Sequence, residues 1–244
     1  MKPIAALLCL LLVPSVALSQ DKKTTRPMFR GGAESTFPEW VAEQLDSPER
    51  TDSPTRVGEN VAFEPFLASF TVGEDGSVDD IHMRNGDSLL CSKIQTILEE
   101  SPVWTPAYRR KKPIETSYFL IKRSPEGALE LLPEDEAERV MPTFNGGGID
   151  EFRTWVTRNV VYPPQALRNG AHGTVKVEFR INRQGETEFS ELISSPNVIL
   201  TTETVRIIIS SPRWTAGTIE GIPVEVYYVL PIVFSPGGTT RPRE

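Results

Sequence analysis

Pro142-Thr143-Phe144-Asn145-Gly146-Gly147 is followed in order by Tyr162-Pro163, the run Gly173–Asn182, Ser211-Pro212-Arg213-Trp214 and the run Val224–Phe234. The fold is decided in this stretch. Within Gly173–Asn182, Val175, Val177, Phe179 and Ile181 alternate with Lys176, Glu178 and Arg180, the pattern of a strand with one dry and one wet face. Arg183-Gln184-Gly185 turns the chain, and Thr187–Ser194 returns as a second strand. Leu200, Thr204, Ile207 and Ile208 fall at i, i+4, i+7 and i+8, one stripe of a helix. Before these strands, Phe152, Trp155 and Val156 mark a shorter helix, with Asp150 as its expected N-cap and Tyr162-Pro163-Pro164 as its stop. Val224–Phe234 closes the unit as a last strand.

The same order is legible earlier, from Pro27 to Ile121. Phe37, Trp40, Val41 and Leu45 suit one helical face, and Pro38 is tolerated in its first turn. Val61–Val72 and Val78–Arg84 flank the turn Glu74-Asp75-Gly76-Ser77. Leu90, Ile94, Ile97 and Leu98 repeat the helical stripe, and Ile114–Ile121 is again a closing strand. Phe29 to Trp40 and Phe144 to Trp155 are both 11 residues; Phe70 to Gly76 and Phe179 to Gly185 are both 6; Trp104 to Pro113 and Trp214 to Pro223 are both 9. Glu115, Tyr118 and Leu120 then match Glu225, Tyr228 and Leu230. All four tryptophans occupy equivalent places, two per copy. The expected fold class is therefore α+β: two tandem modules, each a three-stranded antiparallel sheet covered on one face by two helices in the order α-β-β-α-β.

The expected division is an export signal at 1–19, a first module at 27–123, an acidic linker at 124–141, a second module at 142–235 and a flexible tail at 236–244. Lys2, the apolar run Ile4–Val13 and the small residues Ala17 and Ser19 compose the signal, with cleavage after Ser19. The apolar run is broken by Pro14 and is shorter than the ~20 residues a spanning helix needs; an uncleaved anchor is the alternative. Gln20–Arg26 is polar and reads as disordered. Ser124–Met141 reads as a solvated linker because Glu130, Glu134, Asp135, Glu136 and Glu138 crowd it.

Composition narrows the function further. The formal charge is −7; removing the single positive charge of Lys2 with residues 1–19 leaves −8, which argues against nucleic acid and anionic membrane surfaces as partners. Arg109-Arg110-Lys111-Lys112 is read as a solvated turn. Cys9 lies in the signal, so Cys91 is alone in the exported chain, cannot form an internal disulfide and reads as a small apolar helix residue. His82 and His172 stand in different modules without ligands at metal spacing. Asn145-Gly146-Gly147-Gly148 lacks the Lys and Ser/Thr of a phosphate loop, and no Ser sits in a nucleophile elbow. Glu178, Glu186, Glu188 and Glu191 read as one solvated sheet face. The expectation is a protein that is not an enzyme and carries no cofactor and no metal.

Phe144-Asn145-Gly146-Gly147, Tyr162-Pro163-Pro164-Gln165-Ala166, Gly170, Gly173, Ser211-Pro212-Arg213-Trp214 and Leu230-Pro231-Ile232-Val233-Phe234 resemble the TonB C-terminal domain, in the form found in Bacteroidota-type bacteria. The resemblance covers Pro142–Phe234; Ala216-Gly217 replaces the family's usual Pro-Gly turn. The first module resembles the family only through the repeat, as a degenerate copy. The resemblance implies a periplasmic binding protein that accepts a segment of an outer-membrane transporter, or of another envelope protein, by strand addition. The strand it points to is Val224–Val233; because Pro231 donates no hydrogen bond, pairing is expected mainly on Val224, Glu225, Val226, Tyr227, Tyr228, Val229 and Leu230. Peptidoglycan and a second copy of the chain are alternative partners. Gln20–Arg26 is seven residues, about 25 Å extended, too short a spacer to cross a periplasm. The expectation is therefore a module without force transduction of its own, with a membrane-anchored energy transducer, inner-membrane bound and facing the periplasm, as the alternative.

Overall fold

A computed structural model describes residues 24–34, 36–47 and 63–235. The expected signal at 1–19 and tail at 236–244 lie outside the described residues, as does most of the Asp46–Glu59 loop. The chain forms two compact units that divide between Glu138 and Arg139.

The N-terminal module contains α1 (Thr36–Leu45), β1 (Phe66–Val72), β2 (Val78–Asn85), α2 (Ser88–Glu99), β3 (Ala107–Arg109), β4 (Lys112–Ile114), β5 (Thr116–Lys122) and β6 (Glu130–Pro133). Its sheet runs β2-β1-β5-β6, all antiparallel, and β3 and β4 form a separate hairpin. Phe37, Trp40 and Val41 of α1 and Ile94, Ile97 and Leu98 of α2 pack on Phe66, Ala68, Phe70, Tyr118 and Leu120 of the sheet. Each large apolar side chain so buried contributes roughly 1.5–3 kcal/mol. Asp87 caps α2 by accepting from the Leu89 and Leu90 amides. Cys91 sits on α2, partly buried against this core as read from the sequence.

The C-terminal module contains β7 (Arg139–Val140), α3 (Ile149–Asn159), α4 (Pro164–Arg168), β8 (Gly173–Ile181), β9 (Thr187–Ser194), α5 (Val198–Ile209), β10 (Gly217–Ile219), β11 (Ile222–Val224) and β12 (Val226–Phe234). Its main sheet is three-stranded, β12-β8-β9, and β7 pairs with the β10–β11 hairpin. Phe152, Val156, Leu200, Ile207 and Ile208 cover Val175, Val177, Phe179, Ile181, Leu230 and Ile232.

Both modules are built around the same ring network. Phe144 lies 5.0 Å from Trp214 and Phe152 5.4 Å from Phe179, with Trp214 6.0 Å from Tyr228. The counterparts Phe29–Trp104, Phe37–Phe70 and Trp104–Tyr118 are 5.2, 5.5 and 6.0 Å apart. Such pairs add about 0.5–1.5 kcal/mol each beyond their burial. The two-residue turns match as well. Arg110-Lys111 and Glu220-Gly221, closing the two small hairpins, all have positive φ, as the primed turns of tight hairpins require.

The α+β class and the two modules hold, with differences in detail. The first sheet has four strands rather than three, because Ser124–Met141 is not a plain linker: it carries β6 and β7. Leu129, Leu131 and Pro133 alternate with Glu130, Leu132 and Glu134, and this period of two gives a strand with an apolar face. Thr24–Arg26 is likewise placed, with the Thr25 amide donating to the Tyr108 carbonyl at 2.8 Å and Arg26 paired to Glu34 and Glu136. Asp150 is not the cap of α3; Gly148 holds that place, and Asp150 in the first turn accepts from Arg153 while favouring the helix dipole. The helix α4 is additional, started by Pro164 at a position where proline costs no hydrogen bond.

Candidate docking edge of the C-terminal module

β12 lies at one side of its sheet. It pairs with β8 over nine unbroken positions, from Val226↔Ile181 to Phe234↔Gly173, and among the described residues nothing pairs with its other side. The opposite edge, β9, differs: its pairing with β8 shifts register twice. Bulges of that kind twist an edge and blunt it against further pairing. β12 is thus the regular, extended edge of this module.

The expected strand Val224–Phe234 divides at Glu225. Val224 belongs to β11, pairs with Gly217 and is buried, so it stands in the small hairpin and not on the edge of the main sheet. Glu225 lies between the two strands, where its carboxylate accepts from Arg180 at 3.2 Å and from the Tyr227 hydroxyl at 3.3 Å. Val226, Tyr227, Tyr228, Val229 and Leu230 are all on β12, which continues through Val233 and Phe234. Val233, 71% exposed, lies beyond the residues Val224–Leu230 on which pairing was mainly expected. Its signal was the alternation Leu230, Ile232, Phe234, which continues beyond Pro231.

Backbone direction on β12 follows from the neighbouring turn. The Asn182 amide donates to the Glu186 carbonyl at 2.9 Å, so Asn182 faces β9. Ile181, one residue earlier, faces the other way, toward its partner Val226. Val226, Tyr228, Leu230, Ile232 and Phe234 therefore spend their amides and carbonyls on β8, while those of Tyr227, Val229, Pro231 and Val233 point to the open side. Pro231, which has no amide to donate, sits where no ladder bond is lost.

The side chains sort by the same alternation. Tyr228, Leu230, Ile232 and Phe234 turn to the helices, and Phe234 meets Tyr162 edge-on at 5.7 Å. The Tyr162 hydroxyl donates to the Ala171 carbonyl, and the Ala171 amide to the Ala166 carbonyl at 2.9 Å. The Tyr-Pro-Pro-Gln-Ala motif thereby fixes the end of β12 and the start of β8. Tyr227 (47% exposed), Val229, Pro231 and Val233 occupy the other face. There Arg180 binds Glu188 at 2.6 Å and Glu225, and the Asn182 amide group and Arg180 together hold the Glu188 carboxyl below its ordinary range. Burial pushes the Tyr228 phenol above its ordinary value.

Glu178 departs from the solvated face expected for it. It is 6% exposed and accepts from the Ser190 hydroxyl at 2.8 Å, because the central strand is flanked by β12 and β9. Arg109–Lys112 is the hairpin turn it was read as. His82 on β2 and His172 before β8 are both exposed and lie in different modules. Among the described residues no group of three or more His, Cys, Asp or Glu could hold a metal ion. Also among them, no helix is long and apolar enough to cross a membrane.

No curated protein and no solved structure matches the chain. Residues 158–236, from the end of α3 through β12, match the family model described as the Gram-negative bacterial TonB protein C-terminal.

Proposed function

We propose that this protein is an exported, TonB-like binding module of the cell envelope, which takes up an extended segment of an outer-membrane transporter or another envelope protein along β12. The observation that carries this reading is the open, regular edge of β12 within the matched residues 158–236. Its outward amides at Tyr227, Val229 and Val233 and its outward carbonyls are the groups strand addition uses. The contact residues are then Val226, Tyr227, Tyr228, Val229 and Leu230, with Val233 added and Val224 left to the hairpin. In this reading residues 1–19 export the chain to the periplasm, the first module is a degenerate copy of the same domain, and the protein binds without transmitting force itself.

The test is binding of a peptide from the periplasmic N-terminal segment of an outer-membrane transporter to the full chain. Val229→Pro removes an outward donor without touching the β8 ladder, and should weaken binding at least tenfold while thermal unfolding stays unchanged. Equal binding by wild type and variant would sink the proposal. A mature N-terminus at Gln20 in the soluble periplasmic fraction supports the export reading; retention of residues 1–19 in the inner membrane contradicts it.

A further inference from the structure

In the N-terminal module the strand equivalent to β12 is β5, and its outer side is not open. β6 runs antiparallel along it from Tyr118↔Pro133 to Ile121↔Glu130. The Glu134 amide extends the ladder, donating to the Ser117 carbonyl at 2.9 Å. Ser117, Phe119 and Ile121 thus turn their backbone groups to β6. In the repeat, where Tyr118 matches Tyr228 and Leu120 matches Leu230, these are the places of Tyr227, Val229 and Pro231. The backbone groups that β12 leaves outward are the ones β5 spends on β6.

We infer that β5 is itself a strand-acceptor site, filled by the chain's own residues 129–133, and that the open edge of β12 takes a segment of the same chemistry: extended, antiparallel to β12, with an apolar side chain at every second residue on the helix side. The second half rests on the reading of β12 as a docking edge; the first does not.

The side chains of β6 define that chemistry. Leu129 and Pro133 are buried and Leu131 packs on the helix-side core, so Leu-x-Leu-x-Pro forms the inner row. Glu130, Leu132 and Glu134 form the outer row. α1 packs over β6, so the added strand is roofed as well as paired. The effect on the acceptor is visible at the matched tyrosines. Tyr118, opposite Pro133, is fully buried and donates its hydroxyl to Glu34 at 2.7 Å. Tyr228, which has β8 on one side and no described strand on the other, is only half-buried. An incoming segment on β12 places apolar residues opposite Tyr228 and Leu230, where Pro133 and Leu131 stand on β5. It receives no donor from Pro231. The first module is self-complemented, and strand docking is confined to the second.

Hydrogen exchange on the full chain, read residue by residue, tests both halves. In the wild type the Phe119 and Ile121 amides are expected to exchange at least tenfold more slowly than those of Tyr227, Val229 and Val233; equal protection of the two sets overturns the inference. Leu131→Glu should release β6 and speed Phe119 and Ile121 selectively, leaving the amides between β1 and β5 slow. If that variant unfolds the module, Leu131→Ser decides the same point, and unchanged exchange at Phe119 and Ile121 overturns self-complementation. A synthetic peptide of residues 126–136 should bind the wild-type chain once, slow exchange at Tyr227 and Val229, and lose binding in Val229→Pro. The released variant should bind it twice. If a transporter peptide binds at β12 and the 126–136 peptide does not, the docking reading stands and the shared chemistry is refuted. If β5 behaves as expected and neither peptide binds, the docking reading itself fails.

Discussion

Gly185 and Gly221 both have positive φ, +81° and +75°, but only Gly185 is pressed by other backbone. A Cβ at Gly185 would lie 2.1 Å from the Trp214 carbonyl oxygen and 3.0 Å from its carbon, whereas one at Gly221 meets nothing within 4 Å. Gly221→Ala therefore carries only the left-handed backbone cost, about 1–2 kcal/mol. Gly185→Ala carries that cost and must also push the Trp214 strap outward. This threatens the bond from the Trp214 amide to the Gly185 carbonyl, 2.8 Å, worth about 1 kcal/mol. It also strains the Trp214 ring against Phe144, Phe152 and Tyr228, an overpacking cost of about 1–3 kcal/mol. The total is roughly 3–6 kcal/mol, a large share of the 5–15 kcal/mol typical of a folded domain. Urea unfolding followed by tryptophan fluorescence, with exchange of the β8 amides to assign the loss to the C-terminal module, measures both variants. The reasoning fails if Gly185→Ala costs no more than Gly221→Ala. Gly76, with Trp104 oxygen 1.9 Å from its notional Cβ, repeats the contact in the first module.

Two further outcomes are expected. Lys111 holds φ +70° at the turn position that Gly221 fills in the second module; Lys111→Gly should stabilise the N-terminal module by about 0.5–1 kcal/mol, and an unchanged or lowered thermal midpoint contradicts this. The phenols of Tyr118 and Tyr228 are both raised, Tyr228 by burial, Tyr118 by burial and then by its bond to Glu34. Raised folded values mean that their contribution to stability is complete below the ordinary phenol value, about 10, and is lost as pH climbs past it. Phenolate absorbance should show Tyr228 ionising before Tyr118, and a peptide bound on β12 should delay Tyr228; the reverse order would deny that Tyr118 is the more deeply covered.

The sequence by itself determined the two-module α+β plan, because periods of 2 and 3.6 are local and because the tandem copies repeat the same intervals. β9, Thr187–Ser194, could be read to the residue as the strand returning after the Arg183-Gln184-Gly185 turn, and α2 and α5 could be placed from the stripes Leu90–Leu98 and Leu200–Ile208. The break at Glu225 could not, since Val224 and Val226 look alike in the sequence and only their partners differ, Gly217 in one case and Ile181 in the other. The fate of 124–141 was hidden for a related reason: the charge of six acids dominates a composition, while three alternating apolar residues become a strand only when an edge with matching outward amides lies beside them. The edge that remains is likewise a tertiary decision. Both closing strands are written alike in the sequence, but whether a strand's second row of backbone groups is satisfied depends on which segment comes to lie against it. On β5 the chain supplies that segment; on β12, among the described residues, it does not.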